Sequence, residues 1–345
     1  MERKFYLDLA AAGLRMPIGT HLVLHQQSDS AAILLDGGRL GDVLIETAKR
    51  FRTPLAVPLM DLTLEKEALL LAFGVPAEQI EQFHFSGTAL VSGDISLTPR
   101  MVTSCEAITH VARNSDLVPM GMGIGPFSLM TKLVADPITP VFLAGTGATV
   151  AEEPDIAIVE AALAAGEKVI HRYLEAQIAA GAKAVILCEP AANLVYFSPK
   201  QLDENYAVFD RYVMDPMRRI VRLLERHGVD LVFHDCGELT EGMVKRFATL
   251  GAVMLSFGSS RRLWEDAALI PKDTVLYGNL PTKRFYAKQL GVAEVERMAN
   301  ELVGKMRLAN HPFILGSECD VLSVPGSERE IAGKVDAFMQ CTCRA

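Results

Sequence analysis

From Val118 onward, short apolar runs alternate with longer stretches in which apolar residues recur at helical spacing. The strand-like runs fall at residues 118–125, 182–189, 229–236, 252–257, 274–279 and 312–319. Helices are predicted at residues 156–180, 206–227, 240–250, 292–308 and 328–339. The strongest of them puts Ile158, Ala161, Ala162 and Ala165 on one face and stops at Gly181. Upstream, a short first strand is expected over residues 20–24, after Pro17 and Gly19, and a second over 53–61, weakened by Pro58. Helices follow at 41–52 and 63–73, whereas residues 76–115 show no usable period.

Strands alternating with helices imply parallel pairing, and eight strands are the number that closes a (β/α)₈ barrel. An open doubly wound sheet would carry a glycine-rich phosphate loop after its first strand. The nearest match, Gly121-Met122-Gly123-Ile124-Gly125, fails because its glycines alternate along an apolar strand and Pro126 follows. Such glycines make room for a ligand or a packed layer. The expected organisation is one (β/α)₈ TIM-barrel domain over residues 1–345 with an N-terminal helical extension. Barrel enzymes place chemistry at the carboxyl ends of strands. Asp61, Gly125, Glu189, His234, Cys236, Asn279 and Cys319 all fall at such ends.

Composition narrows the function. The chain of 345 residues is 50% hydrophobic and 22% charged, an ordinary globular balance. Its formal net charge of -8 argues against a nucleic-acid surface, which needs clustered Lys and Arg. No apolar run approaches the ~20 residues of a membrane helix, and the amino terminus lacks the pattern of a secretory signal. A cytoplasmic location is expected. Six cysteines in a chain of this size do not suggest a disulfide framework, which leaves free thiols or metal ligands. Cys341 and Cys343 lie where chain ends fray, an improbable place for an accurate site.

In an extended strand, residues two apart share a face, so His234 and Cys236 can reach one ion while Asp235 points away. Cys319, at the end of another strand-like run, is the expected third ligand. One imidazole and two thiolates suit zinc, and three protein ligands leave a fourth position open, as in catalytic sites. The same residues also read as a buried histidine and two core cysteines. Asp61 reads either as a site carboxylate or as a cap for the helix at 63–73. His21 and His25 alternate along the expected first strand, and a buried, hydrogen-bonded role is their simplest reading. Met120, Met122 and Met130 fit an apolar cofactor face or the core.

The chain resembles the uroporphyrinogen decarboxylase superfamily through Pro58-Leu59-Met60-Asp61-Leu62-Thr63, Gly125-Pro126-Phe127-Ser128-Leu129, Gly181-Ala182-Lys183-Ala184-Val185, Ser198-Pro199, Gly278-Asn279-Leu280 and Ile314-Leu315-Gly316. The resemblance implies a (β/α)₈ barrel. Two departures separate the chain from the decarboxylases of that superfamily. His25-Gln26-Gln27-Ser28-Asp29 stands where they carry an arginine-rich motif, and Glu318-Cys319-Asp320 where they carry Gly-His-Gly. The triad His234, Cys236 and Cys319 instead resembles the zinc pattern of methylcobamide:coenzyme M methyltransferases. That resemblance implies Zn²⁺ on those three residues and transfer of a methyl group from methylcobalamin, or another methyl-corrinoid on a partner protein, to a small-molecule thiol such as coenzyme M. Asp61 is then expected to act with the triad, and Gly125, Glu189 and Asn279 to contact substrate, Asn279 reading also as a tie between loops through backbone hydrogen bonds. Glu189, Glu318 or water would complete the coordination, because Ser256-Phe257 stands where an acidic ligand is sought. The alternatives are a uroporphyrinogen decarboxylase-type lyase, a corrinoid methyltransferase with tetrahydrofolate as acceptor, and a non-catalytic corrinoid or tetrapyrrole carrier with structural zinc.

Overall fold

The computed structural model describes residues 1–88 and 94–341, which leaves Cys343 outside the described residues. Eight strands pair in parallel: β1 (Arg15–Ile18), β2 (Leu55–Ala56), β3 (Val118–Ile124), β4 (Ala184–Cys188), β5 (Asp230–Asp235), β6 (Met254–Phe257), β7 (Val275–Leu280) and β8 (Phe313–Asp320). Their order, β1-β8-β7-β6-β5-β4-β3-β2, is that of a (β/α)₈ barrel in which every neighbouring pair shares a ladder except β1 and β2. Side chains close that gap. Thr20 Oγ1 donates to Val57 O at 2.6 Å and Thr53 Oγ1 to Met16 Sδ at 3.3 Å. One apolar cluster draws Met16, Leu55, Met120, Ile186, Val232, Met254, Val275 and Ile314 from all eight strands into the barrel interior.

The six later strands and the helices between them lie where the apolar rhythm puts them, with ends moved by a residue or two. The amino-terminal third differs. Residues 20–24, expected as a strand, form the helical turn Thr20–Leu24, and the first strand lies earlier. Leu22, Val23 and Leu24 are all buried, and a short continuous apolar run looks the same in a buried helix and a buried strand. His21 and His25 therefore sit one helical turn apart. The expected strand at 53–61 shrinks to Leu55–Ala56, because Pro54 and Pro58 have no N–H to give a ladder. The stretch without a period contains the helix Pro99–Asn114, opened by a Thr98 side-chain cap with Pro at its start. Before β1, the helix Arg3–Ala11 crosses the opposite end of the barrel, where the buried Tyr6 donates to Asp230 Oδ2 at 2.9 Å.

The glycines of β3 serve a packed layer. Met120 and Met122 face the interior, and the glycines between and after them leave space on the outer face for three buried polar side chains. Gln177 exchanges bonds with Met122 N (2.8 Å) and Met122 O (2.9 Å). Glu65 Oε1 accepts from Ile124 N at 3.0 Å. Glu189 abuts Gly125 and accepts from Phe127 N (3.3 Å) and Ser128 N (2.5 Å). No helix among the described residues is long and apolar enough to cross a membrane.

Burial pushes the carboxyl of Glu65 up from 4.5 to about 8, against the pull of the Ile124 amide. The folded state thus binds this proton more tightly than the unfolded chain. The resulting stabilisation is complete below pH 4.5 and is lost as pH rises through 8. Glu65→Gln should remove that dependence. In denaturant unfolding the variant should gain on the wild type between pH 5 and pH 8.5, and parallel curves for the two proteins would refute the assignment.

Candidate metal centre

His234, Cys236 and Cys319 converge at the carboxyl ends of β5 and β8, with their ligand atoms all within 4.8 Å of one another. Strand alternation aims the two residues at the end of β5, and a register break aims the third. In β5 the residues alternate, so Val232 and His234 face inward while Phe233 packs outward. His234 pairs in register with Ser256 of β6, and its Nδ1 lies 2.9 Å from Ser256 Oγ. With Nδ1–H donating to that hydroxyl, the lone pair is left on Nε2. His234 is 1% exposed and its Nε2 has no hydrogen-bond partner. A buried ring nitrogen without a partner, on a residue clustered with two thiols, fits a metal ligand, since leaving such an atom unpaired is otherwise costly.

Alternation alone would turn Cys319 away from the interior, because Ile314 faces inward and Leu315 outward. The register breaks between them and the strand end. Met16 pairs with Gly316, yet Ile18 pairs with Asp320, so two residues of β1 oppose four of β8. This bulge re-aims Cys319 toward His234 and Cys236. Tyr277 and Ser317 satisfy the backbone groups it frees. Tyr277 Oη donates to Met16 O at 3.0 Å and accepts from Ser317 N at 3.2 Å, while Ser317 Oγ accepts from Ile18 N at 2.9 Å. The phenol ring lies over Gly316, where a Cβ would collide with it. Thr282 Oγ1 donates to Cys319 O at 3.2 Å, which fastens the ligand's backbone to the turn after β7.

A hydrogen bond from Cys319 drops the Cys236 thiol well below the usual range, with His234 and Lys283 adding to the effect. Cys319 is pushed up by the same bond and by burial. Lys283 was absent from the expected site. Burial acts to discharge it, but the sulfurs of Cys236 and Cys319 outweigh that and keep it protonated. It sits in the turn Thr282–Arg284, four residues beyond Asn279, so the strand-end rule that selected Asn279 would have reached it if extended by one turn. Behind that turn the fully buried Lys334 donates to Phe285 O and to Ala287 O at 2.9 Å.

The other expected residues are engaged elsewhere. Asp61 pairs with Arg100 at 2.7 Å and accepts from Thr63 N at 3.0 Å and Thr63 Oγ1 at 2.6 Å, which closes a turn just before the helix Leu64–Ala72 without capping any of its amides. Gly125 and Glu189, expected at substrate, are taken up by each other and by the helix Pro126–Thr131. Asn279 Nδ2 donates to Gly258 O (2.8 Å) and Arg261 O (2.9 Å), tying the loop after β6. Neither Glu189 nor Glu318 joins the ligand cluster; Glu318 Oε2 accepts from Ser259 N at 3.0 Å. Met120, Met122 and Met130 are buried core.

The donor set of one imidazole and two thiols suits zinc, and no carboxylate among the described residues joins the cluster to favour a harder ion. Ser256→Ala frees the imidazole to rotate and should lower zinc affinity roughly 10–100-fold in a chelator competition, with unfolding unchanged to within about 1 kcal/mol. Tyr277→Phe leaves Ser317 N without its acceptor and Met16 O without its donor. It should cost roughly 1–3 kcal/mol in equilibrium unfolding and weaken metal binding as well. Unchanged affinity in both variants would show that neither hydroxyl holds the ligands.

Comparisons with known proteins bear on the fold and the family. No curated protein matches the sequence. Among solved structures, a methyltransferase from Methanosarcina mazei matches at 16% identity with a TM-score of 0.65, covering 97% of this chain and 98% of that chain. Identity that low carries the fold alone. The family model described as uroporphyrinogen decarboxylase (URO-D) matches residues 42–331, a span that includes all three candidate ligands and seven of the eight strands. The chain belongs to the uroporphyrinogen decarboxylase family.

Proposed function

We propose that the chain is a zinc-dependent methyltransferase that moves a methyl group from a methyl-corrinoid, carried by a partner protein, to a small-molecule thiol such as coenzyme M. The observation that carries this reading is that donor atoms of His234, Cys236 and Cys319 lie within 4.8 Å of one another, while His234 Nε2 is buried and unpaired. The methyltransferase among the structural matches is in keeping with it.

A free thiol is mostly protonated at neutral pH, and the thiolate is the form that attacks a methyl carbon. Bound zinc supplies that chemistry by holding the acceptor as its thiolate. The chain's own residues prepare the exchange. Two cysteine thiolates cancel the charge of a divalent ion, so an acceptor sulfur held there stays electron-rich. Ser256 fixes the tautomer and direction of His234. Lys283 places a positive charge beside Cys236, which offsets the extra negative charge when the acceptor arrives. In the transfer, a sulfur lone pair forms the S–C bond as the C–Co bond breaks and its electron pair stays on cobalt. A decarboxylase reading is less well supported, because Asp61, the carboxylate such chemistry would use, is already bonded to Arg100 and Thr63.

Purified protein should contain one zinc per chain at this centre, and Cys319→Ala should lose it. With methylcobalamin and a panel of thiols, the cobalt absorbance should shift from the methylated to the Co(I) form in the wild type, and at least about a hundredfold more slowly in Cys319→Ala. Porphyrinogen decarboxylation that survives a chelator, with no methyl transfer to any thiol, would overturn the proposal.

A further inference from the structure

We propose that His21 and His25 form a second metal site, for a divalent cation of the zinc, cobalt, nickel or copper class, at the rim of the barrel beside the first centre. His21 lies in the helical turn Thr20–Leu24 and His25 caps its end, so the two rings project from one face a turn apart. Their Nε2 atoms are 3.1 Å from each other. Two imidazole nitrogens each about 2.0–2.1 Å from a common ion would be roughly 2.9 Å apart at a right angle and roughly 3.3 Å at the tetrahedral angle, which brackets the observed separation. The ring centroids are 4.2 Å apart and the planes inclined at 69°. The ring nitrogens are closer together than the centroids, so the rings lean together at their tips.

The outer support is in place. Asp320 Oδ2 lies 3.2 Å from His21 Nδ1, and Asp320 is only 6% exposed. A carboxylate holding one ring nitrogen as N–H leaves the lone pair on the other, the arrangement that orients ligating histidines. Asp320 follows Cys319 directly in β8, so the bulged segment that positions a ligand of the first centre also positions the support of the second. No third His, Cys, Asp or Glu among the described residues completes a cluster here. His25 is exposed, so water or an oxygen donor of an incoming molecule fills the remaining positions. On binding, the ion takes the place of the proton shared between the two Nε2 atoms. That proton moves to Nδ1 of His25, and no charge is released.

The pair lacks sulfur, which makes the two sites separable by spectroscopy. Metal-stripped full-length protein would be titrated with Co²⁺, with dialysis giving stoichiometry and absorbance reporting thiolate-to-cobalt charge transfer. Two ions per chain are expected. The first carries the charge-transfer band and disappears in Cys319→Ala. The second has no such band, persists in Cys319→Ala, disappears in His25→Gln and weakens roughly tenfold or more in Asp320→Asn. Because His25 is exposed, His25→Gln should keep the wild-type circular dichroism and the first ion. A single ion per wild-type chain at saturating Co²⁺, or a second ion retained in both His21→Gln and His25→Gln, would overturn the inference. Neither result depends on methyl transfer, so the function proposed above would stand or fall separately.

Discussion

The centre depends on a break in strand register. Three donors must meet at one point, and two of them come free with the pleat of β5, since residues two apart share a face. The third comes from a strand three places away in the sheet order, β7 and β6 lying between. A regular β8 would present Cys319 to the helix layer. The bulge opposite β1 turns it inward, and the hydroxyls of Tyr277 and Ser317 hold the bulge by giving partners to amides that a ladder would otherwise have served. The geometry of the metal ligands is therefore written partly in residues that touch no ligand atom.

A second layer of support lies behind the strands. Gln177, Glu65 and Glu189 each hydrogen-bond to backbone in or just after β3, and each occupies space left by a glycine. The barrel wall thus tolerates three buried polar side chains because each finds a backbone partner. Glu189 also anchors the helix that follows, so a carboxylate at a strand end is here a joint between elements. Strand-end position alone does not separate chemistry from carpentry, and the difference lies in whether the polar atoms are already bonded.

Much of this was legible in the sequence. The period-2 and period-3.6 rhythm after Val118 located six strands and their intervening helices, because long apolar stretches leave little choice of face. The His234–Cys236 pair could be read from strand alternation, and Cys319 from the end of another strand. What could not be read was whatever depends on contacts across the fold. Proline confined β2 to two residues, buried Leu22, Val23 and Leu24 disguised a helical turn, and the polar helix Pro99–Asn114 announced itself only through its Thr98-Pro99 start. Ser256 sat where an acid was sought and turned out to steer the histidine. Lys283 was hidden because its charge matters only once the sulfurs are beside it.

The unladdered boundary between β1 and β2 has its own consequence. Elsewhere the wall is laced by repeated backbone bonds, so any change of girth would have to break several together. Along this one line the hydroxyls of Thr20 and Thr53 bridge to Val57 and Met16. The barrel thus resembles a cuff with a single buttoned slit, placed across from β5, the strand that bears His234 and is laced to a neighbour on each side.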